Sequence, residues 1–365
     1  MIVYINGRFL GRRITGVDRY AIEVLKELNT LIAENHPSVA GVEYKIVIPP
    51  RIKTDLHLTH IPIVAYGFFS GHAWEQLSLL MLSLSSKSMV LNLCNTGSIF
   101  VRSQIVVIHD AAVVRIPSTF SLAFRVWYKT LMPVLGRVAK KIVTVSEYSK
   151  KDIINFFGVH PEKVQVVGAG GEHILSQQPD AGILEKFQVH PGSYVLAVSS
   201  HAPHKNFSLT IESLKLSKNA NIPYLIAGGA NQKIFGENSQ LDSSKVTLLG
   251  YVSDNELRAL YEHALCFVFP SLYEGFGLPP LEAMNCGCPV LASNAASIPE
   301  VCSDAALYFS PHDPQELSKL IDNVAHDADL RKSLVNQGLK RAKDFSWKNS
   351  AIDIARMCKE IFTIK

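Results

Sequence analysis

Short runs of β-branched and aliphatic residues alternate along this chain with longer stretches whose apolar residues recur every three or four positions. In the first half the short runs predict strands over Ile2–Ile5, Tyr44–Ile48, Met89–Leu91, Ile105–Ile108 and Ile142–Val145. Helical spacing predicts helices over Val17–Glu34, His72–Leu84, Phe120–Lys140 and Glu147–Phe157. The second half repeats the alternation, with strands expected over Tyr194–Ser199, Tyr224–Ala227, Val246–Leu248, Cys266–Phe269 and Val290–Ala292. Its expected helices are Ser208–Leu216, Asp254–His263, Pro280–Cys286, Pro314–Ala325 and Ala328–Lys343. Apolar strands separated by helices belong to parallel sheets covered on both faces, so the expected class is α/β with doubly wound sheets. Between Gly168 and Pro191 the segments AGGEH and SQQPD carry turn residues and little periodic apolar content. The expected division is an N-terminal Rossmann-like domain over 1–175 and a C-terminal one over 190–345. Ligands of such sheets sit at the carboxyl ends of the strands.

Composition narrows the class. A length of 365 residues with 47% hydrophobic and 19% charged residues suits two well-cored domains rather than a disordered chain. The formal charge of +4 does not call for a nucleic-acid partner, though it is compatible with an anionic membrane surface. The six cysteines lack metal-ligand spacing and read as reduced, buried thiols. The opening MIVYINGR starts as a strand, without the basic-then-apolar layout of a leader. No run reaches the roughly 18 apolar residues of a membrane span. The most apolar region, Leu77–Leu93, is broken by Ser83, Ser85, Ser86, Lys87 and Ser88. The expected location is the cytoplasm, including the inner face of the cell membrane.

The densest chemistry lies in Pro270–Pro289, PSLYEGFGLPPLEAMNCGCP. Gly275 and Gly277 lack Cβ atoms, so backbone amides there can approach a ligand closely. Pro279 or Pro280 suits the first position of the following helix, where a missing N–H is harmless. The remaining N–H groups and the helix dipole favour an anion. Glu274 and Glu282 flank this anion site, an arrangement that makes sense when the ligand also offers hydroxyls. Phosphate together with several hydroxyls describes a sugar nucleotide. The alternative for Glu282 is a first-turn carboxylate complementing the helix dipole.

Glutamates framing GFGLPPL, followed by Ala-Met and Gly-Cys-Pro-Val, resemble the signature of retaining glycosyltransferases of family 4. The resemblance implies a GT-B fold, two Rossmann-like domains facing across a cleft, the first on the acceptor side and the second binding the nucleotide sugar, with residues 346–365 crossing back to the first. It implies that Glu274 meets hydroxyls of the donor sugar and that Glu282 holds the ribose. Gly275, Phe276, Gly277 and Leu278 would line the donor, with Gly16 of ITGVDRY facing its phosphates and Tyr251 and Val252 reading the base. Ser253 or Asp254 reads equally as a helix cap, as does Ser146.

His109 and Asp110 close a strand at its carboxyl end, where a histidine can donate to a developing oxyanion or a sugar hydroxyl and Asp110 can orient it. The resemblance puts this histidine beside the donor sugar; a merely structural strand-end histidine is the alternative. Lys205 would set a positive charge by a helix start, suited to a departing diphosphate. Many relatives carry an arginine five residues earlier, where this chain has Ser200; either His201, His204 or Arg19 replaces it, or the diphosphate is held more loosely.

The implied activity is retaining transfer of a hexosyl or deoxyhexosyl group, mannosyl or rhamnosyl favoured, to a glycan or lipid-linked glycan in O-antigen or capsule synthesis. The nucleotide-diphosphate sugar is substrate, and neither a further cofactor nor a metal is expected. A nucleotide-sugar epimerase and a binding subunit without turnover are the rivals. Phe120–Lys141 mixes Phe124, Trp127, Tyr128, Leu131 and Met132 with Arg125, Lys129, Arg137, Lys140 and Lys141, which fits a helix lying on an anionic bilayer. It fits equally a core-packing helix with solvated cations.

Overall fold

The computed structural model describes residues 1–12, 14–84, 88–198, 202–217, 222–228 and 245–363. Its contacts divide the chain into one unit of Met1–Ala169 with Trp347–Lys365 and another of Gly170–Ser346.

In the first unit the strands are β1 (Ile2–Asn6), β2 (Glu43–Ile48), β3 (Ile63–Ala65), β4 (Ser88–Asn92), β5 (Gln104–Val107), β6 (Lys141–Thr144) and β7 (Val164–Val166). They pair in the order β3-β2-β1-β4-β5-β6-β7, all parallel. The connecting helices are α1 (Gly16–Ala33), α2 (Gly71–Ser83), α3 (Ala112–Arg115), α4 (Leu122–Val138) and α5 (Glu147–Phe157). The order reverses between β1 and β4, the kind of switch point that opens a crevice at the carboxyl ends of a sheet. Residues such as Val106, Ile108, Leu135, Ile142 and Ile153 are fully buried between sheet and helices, which is why these strands read as unbroken apolar runs.

The second unit contains α6 (Gly182–Lys186), β8 (Val195–Val198), α7 (Phe207–Leu216), β9 (Tyr224–Ala227), β10 (Val246–Gly250), α8 (Asp254–His263), β11 (Cys266–Phe269), α9 (Leu278–Asn285), β12 (Val290–Ser293), α10 (Ile298–Cys302), β13 (Ala306–Phe309), α11 (Pro314–His326) and α12 (Ala328–Ala342). Its parallel sheet runs β10-β9-β8-β11-β12-β13, again reversing beside the first strand. The last helix, α13 (Trp347–Thr363), belongs to the first unit, where Trp347 meets Tyr20 edge-on and Ser350 Oγ donates to Gly168 O at 2.7 Å.

Three short strands, β3, β7 and β13, were not expected from the pattern, and Ser199, the expected end of β8, lies outside the described residues. The segment expected to separate the domains is ordered within the second unit. Asp180 N–H donates to Asn255 O at 3.1 Å, and the Arg258 guanidinium donates to the carbonyls of Leu175 and Gln177. Caps set several boundaries: Ser121 Oγ accepts from Phe124 N–H and Ser146 Oγ from Ser149 N–H, starting α4 and α5. Pro133 lies inside α4, which continues through it.

Candidate functional site

Loops leaving the carboxyl ends of β8, β11 and β13 are tied together. After β8 the chain turns through Pro203–Lys205, and Asn206 takes a left-handed conformation (φ 56°) that asparagine tolerates better than most residues. Its Nδ2 donates to Pro270 O at 3.1 Å and to Pro311 O at 2.8 Å, joining the three loops. Leu272 N–H donates to His204 O at 2.8 Å. Lys205 is thereby held over the β11 loop. Its Nζ lies 2.7 Å from Glu274 Oε1, with the two side chains only 16% and 14% exposed.

The glycine bend is fixed from beneath. Ser297 Oγ lies 2.9 Å from Glu274 O and 2.7 Å from Phe276 O, so one hydroxyl spans both sides of Gly275. Gly277 has φ 125° and ψ 51°, a conformation L side chains rarely adopt. A Cβ there would meet nothing closer than Val301 at 3.9 Å, so the demand for glycine is conformational rather than steric. Leu278, not a proline, opens α9, and Pro279 and Pro280 follow it. These prolines remove the second and third N–H groups of the helix, so Gly277 and Leu278 supply the amides at its mouth.

Glu282 is the fifth residue of α9, beyond the first turn, and the dipole-complementing role does not apply to it. Its buried carboxylate is held by both oxygens: Oε1 lies 3.1 Å from His173 Nε2, and Oε2 accepts from the Tyr261 hydroxyl at 3.2 Å. Gly171 lets His173 reach it, because a Cβ at that position would come within 2.7 Å of Asn285 Nδ2 and 2.8 Å of Leu281 Cγ. Tyr251 and Val252 follow β10 at the same edge of the sheet, and the Tyr251 side chain is 72% exposed. Ser253 caps α8: its Oγ accepts from Glu256 N–H, while Glu256 Oε2 accepts from Ser253 N–H at 2.8 Å. His204, with its pKa pushed down to about 4 by burial and the Lys205 charge, is neutral, leaving Lys205 as the cation among the described residues of this loop.

In the first unit Gly16 is the first residue of α1, and the loop before it is organised by buried Asp18. Asp18 accepts from Thr15 N–H at 3.0 Å, from the Thr15 hydroxyl at 2.7 Å and from Arg12 Nη2 at 2.6 Å. His109 is buried, its ring meeting Tyr20 edge-on at 4.9 Å between centroids. Burial pushes its pKa down to about 4, against a raising contribution from its bond to Leu93 O. Nε2 donates to Leu93 O at 2.9 Å, so the single N–H of the neutral ring is already engaged. This corrects the expectation of a donating histidine: Nδ1 is an acceptor. Leu93 O holds the ring at Nε2, and Asp110 Oδ1 accepts from Ala112 N–H at 2.8 Å.

In the second unit the structure thus gathers Lys205, Glu274, Gly275, Phe276, Gly277 and Leu278 at one loop junction, with Glu282 in the helix that follows. Gly16, His109 and Asp110 belong to the first unit. Ser200 and His201 lie outside the described residues. His173, Tyr261, Ser297 and Asn206 were not anticipated, since none carries a local spacing signal. Among the described residues no group of His, Cys, Asp and Glu is arranged to hold a metal ion, and no helix is long and apolar enough to cross a membrane.

Comparison with known proteins bears on the same region. Residues 185–341 match the family model of glycosyl transferases group 1. The O-antigen chain mannosyltransferase B of Escherichia coli is 34% identical over 58% of this chain, and the match spans 58% of that protein. The O-antigen chain mannosyltransferase RfbU of Salmonella typhimurium is 28% identical, over 88% of this chain and 90% of its own. Among solved structures, HepE of Anabaena in complex with UDP superposes with a TM-score of 0.75 at 17% identity, covering 98% of this chain and 99% of that one. WaaG, a glycosyltransferase involved in lipopolysaccharide biosynthesis, gives 0.73 at 15% identity with coverages of 98% and 99%. The chain therefore has the GT-B fold of two Rossmann-like domains, with a glycosyl transferases group 1 match across its second unit.

Proposed function

We propose that this protein transfers a mannosyl group from a nucleotide-diphosphate sugar to a hydroxyl of a glycan or lipid-linked glycan, with retention of anomeric configuration, in O-antigen synthesis. The observation that carries the reading is the Lys205–Glu274 contact beside the Gly277 bend, inside the region that matches glycosyl transferases group 1. The names of the two O-antigen mannosyltransferase relatives support the sugar and the product class. The UDP bound by HepE supports a nucleoside diphosphate as the donor's carrier.

An ammonium has three N–H donors, so Lys205 serves Glu274 and a diphosphate oxygen together without breaking the pair. Glu274 then has its remaining acceptor capacity for hydroxyls of the donor sugar. Charge builds on the diphosphate as the glycosidic bond loosens, and a cation fixed before that moment stabilises the transition state without reorganisation. The amides around Gly277 add donors for the same anion. Glu282, fixed in plane by His173 and Tyr261, takes the ribose hydroxyls. His109 offers Nδ1 as an acceptor for a sugar hydroxyl. The acceptor hydroxyl approaches on the face that the diphosphate leaves and gives its proton to the departing diphosphate oxygen as the new C–O bond replaces the old, so no protein nucleophile is required.

The first half of α4 supports a membrane-facing role. Leu122 is 71% exposed, and Phe124 and Val126 also face solvent, with Lys129 beside them; Phe68, 94% exposed, precedes α2. Contact with an anionic bilayer would bring a lipid-linked acceptor to this unit.

The test is incubation with GDP-, UDP- and dTDP-linked sugars and a mannoside acceptor, followed by NMR. Build-up of an α-linked product supports the reading; donor rearrangement without acceptor consumption, or nucleotide binding without turnover, contradicts it.

A further inference from the structure

A second polar cluster lies at the carboxyl edge of the first unit's sheet. Its centre is Glu75 in α2, which is fully buried. Oε1 accepts from Asn6 Nδ2 at 2.9 Å and lies 2.9 Å from Arg8 Nε. Oε2 accepts from the Thr96 hydroxyl at 2.9 Å and lies 3.0 Å from His72 Nδ1. Four contacts fill the acceptor capacity of a carboxylate, so Glu75 is an anchor and not a ligand group itself. Burial pushes its pKa up, but the contacts of His72, Arg8, Asn6 and Thr96 outweigh this and hold it below the ordinary carboxyl value.

What the anchor fixes is left with unused hydrogen-bonding groups. Arg8 is 22% exposed, yet among the described residues its two Nη groups have no protein partner. The same holds for His72 Nε2 and for the hydroxyl of half-buried Tyr128. Tyr128 follows Trp127 in α4, and the charges of Arg8, Glu75 and Arg12 act on its phenol. Trp127 stands beside them, its ring 4.9 Å from that of His72 and 38% exposed.

Among the described residues the two arginines of this cluster are paired. Glu75 offsets Arg8, and Asp18 offsets Arg12 at 2.6 Å. An anion would therefore find directed donors but no net positive field, whereas a neutral polyol needs only the donors. An exposed indole next to a few directionally fixed polar groups suits a sugar ring, whose C–H face packs on the aromatic while its hydroxyls pair at the rim.

We propose that Arg8, His72, Trp127 and Tyr128 bind a neutral saccharide, the terminal residue of the acceptor glycan. Its identification as acceptor rests on the transferase reading; the saccharide binding itself does not.

The experiment is ligand-observed NMR titration of the full chain with the methyl glycosides of mannose, glucose, galactose and N-acetylglucosamine, and with α-linked mannobiose. At least one should bind the native protein. Trp127→Ala should weaken that binding about three- to tenfold, and Trp127→Phe should restore most of it. Excess inorganic phosphate should not displace the sugar. Absence of binding to the native protein, unchanged affinity in Trp127→Ala, or competitive displacement by phosphate would each overturn the proposal. Thermal shift by GDP and UDP, measured on the same samples, separates it from the donor reading. If neither nucleotide shifts the native protein while the saccharide results hold, the donor reading fails and this site stands.

Discussion

Substitutions at Lys205 and Glu274 separate fold stability from chemistry, because the two side chains hold each other at 2.7 Å in a mostly buried setting. Lys205→Met leaves a carboxylate short of its partner, and Glu274→Leu leaves an ammonium in the same position. Removing one member of a fully buried pair is strongly destabilising, and the residual exposure here reduces the effect, so each single variant should lose about 1–3 kcal/mol. Replacing both by apolar residues removes the stranded charge, and the double variant should recover much of that loss. Urea unfolding of the four proteins gives the coupling directly. Turnover should behave differently. Losing a hydrogen bond from a charged group, worth about 1.5–3 kcal/mol in the transition state, lowers kcat roughly tenfold to 150-fold. The double variant should be no faster than the slower single. Additive stability losses would refute the pairing as described, and recovery of turnover in the double variant would refute the catalytic roles.

Other outcomes follow from single positions. Gly277→Ala forces a side chain onto φ 125° and should lower stability by about 1–3 kcal/mol, measured by thermal unfolding. Ser297→Ala releases the carbonyls of Glu274 and Phe276 and should raise KM for the donor more than it lowers the melting temperature. His109 stays neutral in the folded state down to about pH 4, while the unfolded chain takes up that proton from about pH 6.5. The unfolded state then binds more protons in this window, so stability rises with pH and is lost as pH falls towards 4; about 1–3 kcal/mol of this slope should vanish in His109→Gln. Flotation with anionic vesicles should carry the native protein and fail for Leu122→Ser/Phe124→Ser; equal flotation of both would remove the role given to α4.

Much of the architecture could be read from the sequence because each sheet is buried on both faces. Strands such as Tyr224–Ala227 and Cys266–Phe269 are entirely apolar or aromatic, and their bounds matched the pattern. The missed strands β3, β7 and β13 have three or four residues each, too few to build a periodic signal, and they lie at sheet edges. The glycine bend and its two glutamates were legible because they are contiguous. The groups that support them were not. Lys205 and Glu274 are 69 positions apart, and Ser297 lies 21 positions beyond Phe276. His173 fell in a segment whose composition resembled a linker, yet it closes on a carboxylate in α9. Glu75 lay within an apolar helix pattern that gave no hint of four converging partners. Side chains that meet only through the fold leave no spacing to read.

The central claim is that the edge of the second unit around Glu274 and Glu282 binds a nucleoside-diphosphate sugar. Calorimetric titration with GDP-mannose, UDP-glucose and dTDP-rhamnose, on the native protein and on Glu282→Gln, tests it most directly. The account predicts saturable 1:1 binding of one of the three and a loss of at least about tenfold in affinity on substitution. No heat with any donor, or an affinity that Glu282→Gln leaves unchanged, would contradict it.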